Sequence, residues 1–108
     1  MIIIRISIHA RDDKRNELLS SCQLIVGKTR QEKDCKKCNV YQDSINENII
    51  AVEQIWEQRP SLDNYFQSDH FTALLGAMKW LGRSYEIRIN GGTPEEGMDA
   101  VKRARRKS

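Results

Sequence analysis

An α+β sandwich with the ferredoxin-like order β-α-β-β-α-α-β is the fold class this sequence predicts, and three observations predict it. The chain opens on "IIIRISIH", a clean alternation with β-branched residues on one side. Two further β-prone stretches lie near mid-chain, with a connection short enough to make them an antiparallel hairpin. Between and after these strands, apolar residues recur at helical spacing. Helices of this kind must cover one face of an antiparallel sheet, which gives the two-layer arrangement.

Each element has its own signal. In the first strand Ile2, Ile4, Ile6 and Ile8 share one face, and Ile3, Arg5, Ser7 and His9 share the other. "RDDK" turns the chain into a helix, with Asp12 or Asp13 as its N-cap. Leu18, Leu19, Cys22, Ile25 and Val26 then mark an amphipathic helix over roughly residues 12–30. "CNVYQD" predicts a second strand, "SINEN" its turn, and "IIAVEQIW" a third strand with Ile50, Val52, Gln54 and Trp56 on one face. After Pro60, Ser61 is the expected cap of a helix, and Ser68 caps its restart at "SDHF", with Asp69 favourable at the positive end. Phe71, Leu74, Leu75, Met78 and Leu81 form the buried stripe of that second run. Gly82 stops it, and "SYEIRI" is the fourth strand.

Residues 1–90 therefore form the predicted domain, and 91–108 a flexible basic C-terminal tail. "NGGTPEEG" is its break, and "MDAVKRARRK" a short helix expected to lie detached from the core. The chain has 108 residues, 39% apolar and 31% charged, which fits one globular domain. No apolar run approaches the roughly 20 residues of a membrane span. Arg5 interrupts "MIIIRISI" and no small-residue cleavage site follows, so the expected place is the cytoplasm. The formal charge is +3, and residues 91–108 contribute +2 of it, five cations against Glu95, Glu96 and Asp99. A nucleic-acid-binding domain would carry a basic stripe on the fold itself, so such a partner is not expected. The uncovered sheet face, with Ile3 on it, predicts a homodimer with two sheets packed face to face.

The three cysteines, Cys22, Cys35 and Cys38, are odd in number and are expected to be reduced thiols. "CKKC" has metal-knuckle or redox spacing but is half a site, because His9 and His70 stand alone. On a regular strand positions 35 and 38 would also point to opposite faces. His70, beside Asp69 at a helix start, is either a proton-handling group or a terminal residue that bonds backbone and packs. Trp56 and Tyr65 are either pocket walls or core aromatics.

"VEQIWEQRPSLDNYFQSDHFTALL", together with this element order, resembles the antibiotic biosynthesis monooxygenase family of small dimeric α+β barrels. Trp56, Leu62, Ser68 and His70 fit its pattern, and "DCKKCNVYQD" looks like its second strand. One departure is Gln54, where many members have Glu two positions before the tryptophan. Glu53 lies one residue earlier, on the other strand face. The resemblance implies a cofactor-free oxygenase, without metal or flavin, acting on a small aromatic or quinone-like molecule. It implies His70 as base or anion stabiliser, with Trp56, Tyr65 and Phe71 binding substrate. Two alternatives stay open: an isomerase of the same fold acting on a small carbonyl compound, and a binding or stress-related dimer without catalysis. A haem-degrading relative is not expected, since His70 is out of place for that ligand.

Overall fold

The alternation of the first strand sets the whole sheet. In the computed structural model, which describes residues 1–90 and 96–106, β1 (Ile2–Ala10) is followed by α1 (Arg15–Thr29), β2 (Cys35–Gln42) and β3 (Ile49–Trp56). Then come α2 (Arg59–Phe66), α3 (Asp69–Leu81), β4 (Gly82–Asn90) and α4 (Met98–Arg106). The sheet is antiparallel with strand order β2-β3-β1-β4. β1 sits inside it, pairing Ile2 with Trp56 of β3 and Ile4 with Ile89 of β4.

Residues paired across an antiparallel ladder point to the same face. Ile4, Ile6 and Ile8 therefore join Ile50, Val52, Trp56, Ile87 and Ile89 beneath the helices, all buried. At about 25 cal/mol per Å2 of apolar surface removed from water, this layer is the main favourable term in folding. α1 and α3 pack side by side over it. The other face stays open, with Ile3 and Tyr41 exposed and Arg5 paired to Glu53 at 2.8 Å.

Helix starts differ from expectation in two places. α1 takes Lys14 as its N-cap residue, without a side-chain cap bond, while Asp12 bonds Arg83. The expected Asp12 or Asp13 cap is thus corrected, because both carboxylates lie in the turn before the helix. α2 begins at Arg59 with Gln58 as N-cap, one turn earlier than a Ser61 cap would allow. Pro60 explains this, since its fixed φ suits the first helical turn. Ser61 lies within the helix and its hydroxyl donates to Asp34. Ser68 does cap α3, its Oγ accepting from Phe71 N–H at 3.2 Å. Gly82 does end α3: a Cβ there would stand 2.5 Å from the Met78 carbonyl oxygen and 2.9 Å from Ile8.

The C-terminal helix is the largest correction. α4 was expected to lie detached, yet Ala100, Val101 and Ala104 are buried in the main core. Their spacing makes a narrow apolar stripe, and small side chains let α4 approach closely. Gln67 Nε2 donates to the Ala104 carbonyl at 2.8 Å, and Arg105 Nη1 to the Phe66 carbonyl at 2.7 Å. Glu96 pairs with Ile89 by two backbone hydrogen bonds at the edge of β4. The expected break at 90–97 falls mostly on 91–95, outside the described residues.

Candidate functional site

Between the sheet and α2–α3 lies a cluster of four buried aromatic rings. Trp56 and Tyr65 have centroids 4.9 Å apart, Tyr65 and Phe71 5.4 Å, and Phe66 and Phe71 5.0 Å. The last two pairs meet edge to face, the geometry the ring quadrupole favours. Alternation on β3 aims Trp56 inward, and the helical repeat of α2 and the start of α3 bring the other rings to meet it.

The cluster has a polar spine. Trp56 Nε1 donates to Gln54 Oε1 at 2.9 Å, and Gln54 Nε2 donates to the Tyr65 hydroxyl at 3.0 Å. The Tyr65 hydroxyl meets the Thr29 hydroxyl, which donates to the Ile25 carbonyl at 2.9 Å. An indole N–H can only donate, so it fixes which way the Gln54 amide points. The neutral amide satisfies two buried groups without burying a charge. Desolvation pushes the Tyr65 phenol up from its ordinary value, so it stays protonated. Gln54 and Glu53 do face opposite sides: Gln54 is buried in this spine, and Glu53 lies on the open face with Arg5.

His70 sits at the start of α3, next to Phe71 in sequence but directed elsewhere. Its side chain is 38% exposed, while its Nδ1 is buried and makes no hydrogen bond. That Nδ1 stands 3.2 Å from Glu32 Oε1, close enough for an ion pair but not aligned for a hydrogen bond. Glu32 is held there by the turn between α1 and β2. Asp34 takes a left-handed conformation with φ 68°, which aspartate tolerates better than most residues. Its carbonyl accepts from Glu57 N–H at 2.9 Å, and its carboxylate accepts from Ser61. The structure thus brings Trp56, Tyr65 and Phe71 together and places His70 at the edge of the same helix start, paired with Glu32.

Glu32 was not identified from the sequence. It lies in no motif, and its partner is 38 positions away, so nothing local signals the pair. The inward role of Gln54 follows from strand alternation alone, but its two partners do not.

The cysteine pair needs a correction. β2 carries a bulge at Lys36, so Cys35 lies opposite Trp56 and Cys38 opposite Gln54. Both therefore face the helices, not opposite sides. Burial pushes the Cys38 thiol up to about 12, and the neighbouring Cys35 adds to the shift. Burial raises Cys35 as well and pushes Cys22 up to about 11. All three thiols are free. Among the described residues, no group of three or more His, Cys, Asp or Glu could hold a metal ion.

None of four clefts between described residues is lined by Trp56, Tyr65, Phe71 or His70. Two lie on the open sheet face, one between α1 and α3, and one among α3, α4 and β4.

Fold and site together define a small α+β protein of ferredoxin-like class, with an aromatic, hydrogen-bonded interior under its helices. The chain belongs to the antibiotic biosynthesis monooxygenase family, whose model matches residues 1–76. It is similar to the solved structure of an antibiotic biosynthesis monooxygenase, at 21% identity and TM-score 0.77, covering 87% of this chain and all of that one. It is also similar to a conserved protein from Methanosarcina mazei Go1, at 26% identity and TM-score 0.76, covering 82% and 89% of the two chains. In sequence it is 27% identical over 70 residues to the uncharacterized protein sll1783 of Synechocystis sp.. That match takes in 65% of this chain and 48% of the relative, so the chain spans about half the length of that protein. No described helix is long and apolar enough to cross a membrane.

Proposed function

We propose that the chain is a cofactor-independent monooxygenase-like enzyme acting on a small aromatic or quinol-type substrate in the cytoplasm. The observation that carries this reading is the His70–Glu32 pair, set within residues 1–76 that match the family, with His70 adjacent in sequence to Phe71 of the aromatic cluster. A carboxylate next to Nδ1 favours the tautomer with its proton on that nitrogen. The other ring nitrogen is then free to take a proton from a phenol or an activated C–H. The resulting anion is electron-rich enough to reduce dioxygen directly. For an anthrone, one oxygen atom becomes the new carbonyl and the other leaves as water with the two hydrogens of the oxidised carbon. Trp56, Tyr65 and Phe71 are the proposed substrate-binding wall, and His70 the catalytic base.

The protein is proposed to work as a homodimer, two copies meeting through the open sheet face that carries Ile3 and Tyr41. The isomerase reading uses the same histidine to move a proton within a small carbonyl compound. A different observation favours the non-catalytic dimer: Trp56, Tyr65 and Phe71 are packed against one another with at most 1% of each exposed. An interior filled by its own side chains leaves substrate to enter only by displacing them.

Oxygen uptake with a panel of quinols and anthrones in chelator-treated buffer tests the reading, comparing wild type with His70→Ala. Uptake that survives chelation and collapses in the variant is the expected result. Equal uptake by both proteins would remove His70 from the mechanism. Absence of uptake above the uncatalysed rate would leave the isomerase and the non-catalytic dimer.

A further inference from the structure

We propose that the cleft among α3, α4 and β4 binds a small amphipathic organic anion, an aromatic carboxylate whose ring lies on an apolar floor. The cleft encloses about 410 Å3, within the range of small-molecule sites. Its floor is Leu75, Met98 and Val101, and its rim carries Lys79, Lys102 and Arg106. Tyr85 closes one side with a ring and a hydroxyl, and Arg105 another. None of the described residues lining it is acidic.

What distinguishes the cleft is convergence: three cationic side chains meet there with no carboxylate among the described residues that line it, whereas many cations elsewhere are paired. Arg5, Lys14, Arg15, Lys36, Arg59, Arg83, Arg88 and Arg103 each stand within 4 Å of a carboxylate. Among the described residues, the side chains of Lys79, Lys102 and Arg106 make no ion pair or hydrogen bond. Three like charges around one concavity repel each other, and an anion bound among them removes that repulsion. The recessed apolar floor selects a ligand with a hydrophobic body over a bare inorganic anion. It also disfavours a nucleic-acid duplex, which would need its cations along an open stripe.

The site is separate from the proposed chemistry. Of its lining residues only Leu75 falls within residues 1–76, the part that matches the family, because α4 builds most of the wall. Binding there does not depend on oxygenase activity, so either proposal can fail without the other.

The test is amide NMR titration of the full chain with 2-naphthoate, with neutral 2-naphthalenemethanol and inorganic phosphate as comparisons. Saturable shifts at Leu75, Lys79, Val101 and Lys102 are expected with 2-naphthoate, with clearly weaker binding of both comparison compounds. Lys79→Gln and Lys102→Gln alter exposed side chains only, and each is expected to weaken 2-naphthoate roughly tenfold. No saturable shift, equal binding of the alcohol, or unchanged affinity in both variants would overturn the proposal. So would tighter binding at these residues by a short DNA duplex or by vesicles containing phosphatidylserine.

Discussion

Gln54 shows how much one side chain can hold in place. It satisfies the Trp56 N–H and the Tyr65 hydroxyl inside the aromatic cluster, where water cannot replace it. Gln54→Leu is expected to destabilise the fold by about 1–3 kcal/mol, because it orphans the buried Trp56 N–H and leaves the Tyr65 hydroxyl with Thr29 alone. Urea unfolding followed by tryptophan fluorescence measures this. A loss under 1 kcal/mol would mean that the rings, not the spine, hold the cluster. The cysteines give a second test. With Cys22 pushed to about 11 and Cys38 to about 12, and both buried, iodoacetamide near neutral pH should modify half-buried Cys35 first. Peptide mass spectrometry of a time course reads the order. Asp34, strained at φ 68° and bonded to Ser61, is expected to lose about 1–2 kcal/mol as Asp34→Ala and less as Asp34→Asn, which keeps both the turn preference and an acceptor.

Among the elements, α4 matters most, since it turns an expected tail into part of the core. Val101→Ala is expected to cost about 1–3 kcal/mol, measured by thermal unfolding. A tail detached from the core would show no change. Glu96 links the start of this region to α2 and to α4 itself through Arg59 and Arg103. The Arg59 hydrogen bond, more than any other influence, lowers its pKa below the ordinary glutamate value. A carboxyl depressed in the fold contributes stability above its unfolded pKa, and that contribution is lost as pH falls through the depressed value. The stability gap between wild type and Glu96→Gln should therefore be full at neutral pH and shrink below the ordinary glutamate range. Acid titration of both proteins by circular dichroism follows it. The strands, α1 and α3 were legible because two-residue and helical periods survive in the sequence. Docking of α4 was not, because Ala100, Val101 and Ala104 look weak beside five cations, and nothing local says what they pack on. The Lys36 bulge escaped for a related reason: an extra strand residue shows only when the partner strand is known.

For the molecule as a whole, the open sheet face is the unfinished part. It carries Ile3 at 45% exposure, opposite Ile55 of β3 and Asn90 of β4, and the proposed face-to-face dimer would cover it. Ile3→Arg is expected to leave each chain folded and shift a dimer to monomer, read by sedimentation equilibrium. A wild type that sediments as a monomer would remove the dimer. At this scale the fold was readable and the site only in part. Trp56, Tyr65 and Phe71 were placed near one another from their elements. The Glu32–His70 pair depends on a turn whose geometry no sequence pattern fixes.

The bulge at Lys36 also bears on how such a chain can change length. Everywhere else in β2, removing one residue would reverse the faces of the residues on one side of the cut and expose part of the core. Removing Lys36 leaves Cys35 opposite Trp56 and Lys37 opposite Ile55, in an unbroken ladder. The loss would be one surface pair with Glu57, at 3.1 Å and exposed at both ends. That makes position 36 a point where relatives can differ by a single-residue insertion or deletion while every inward-facing side chain of the strand keeps its place.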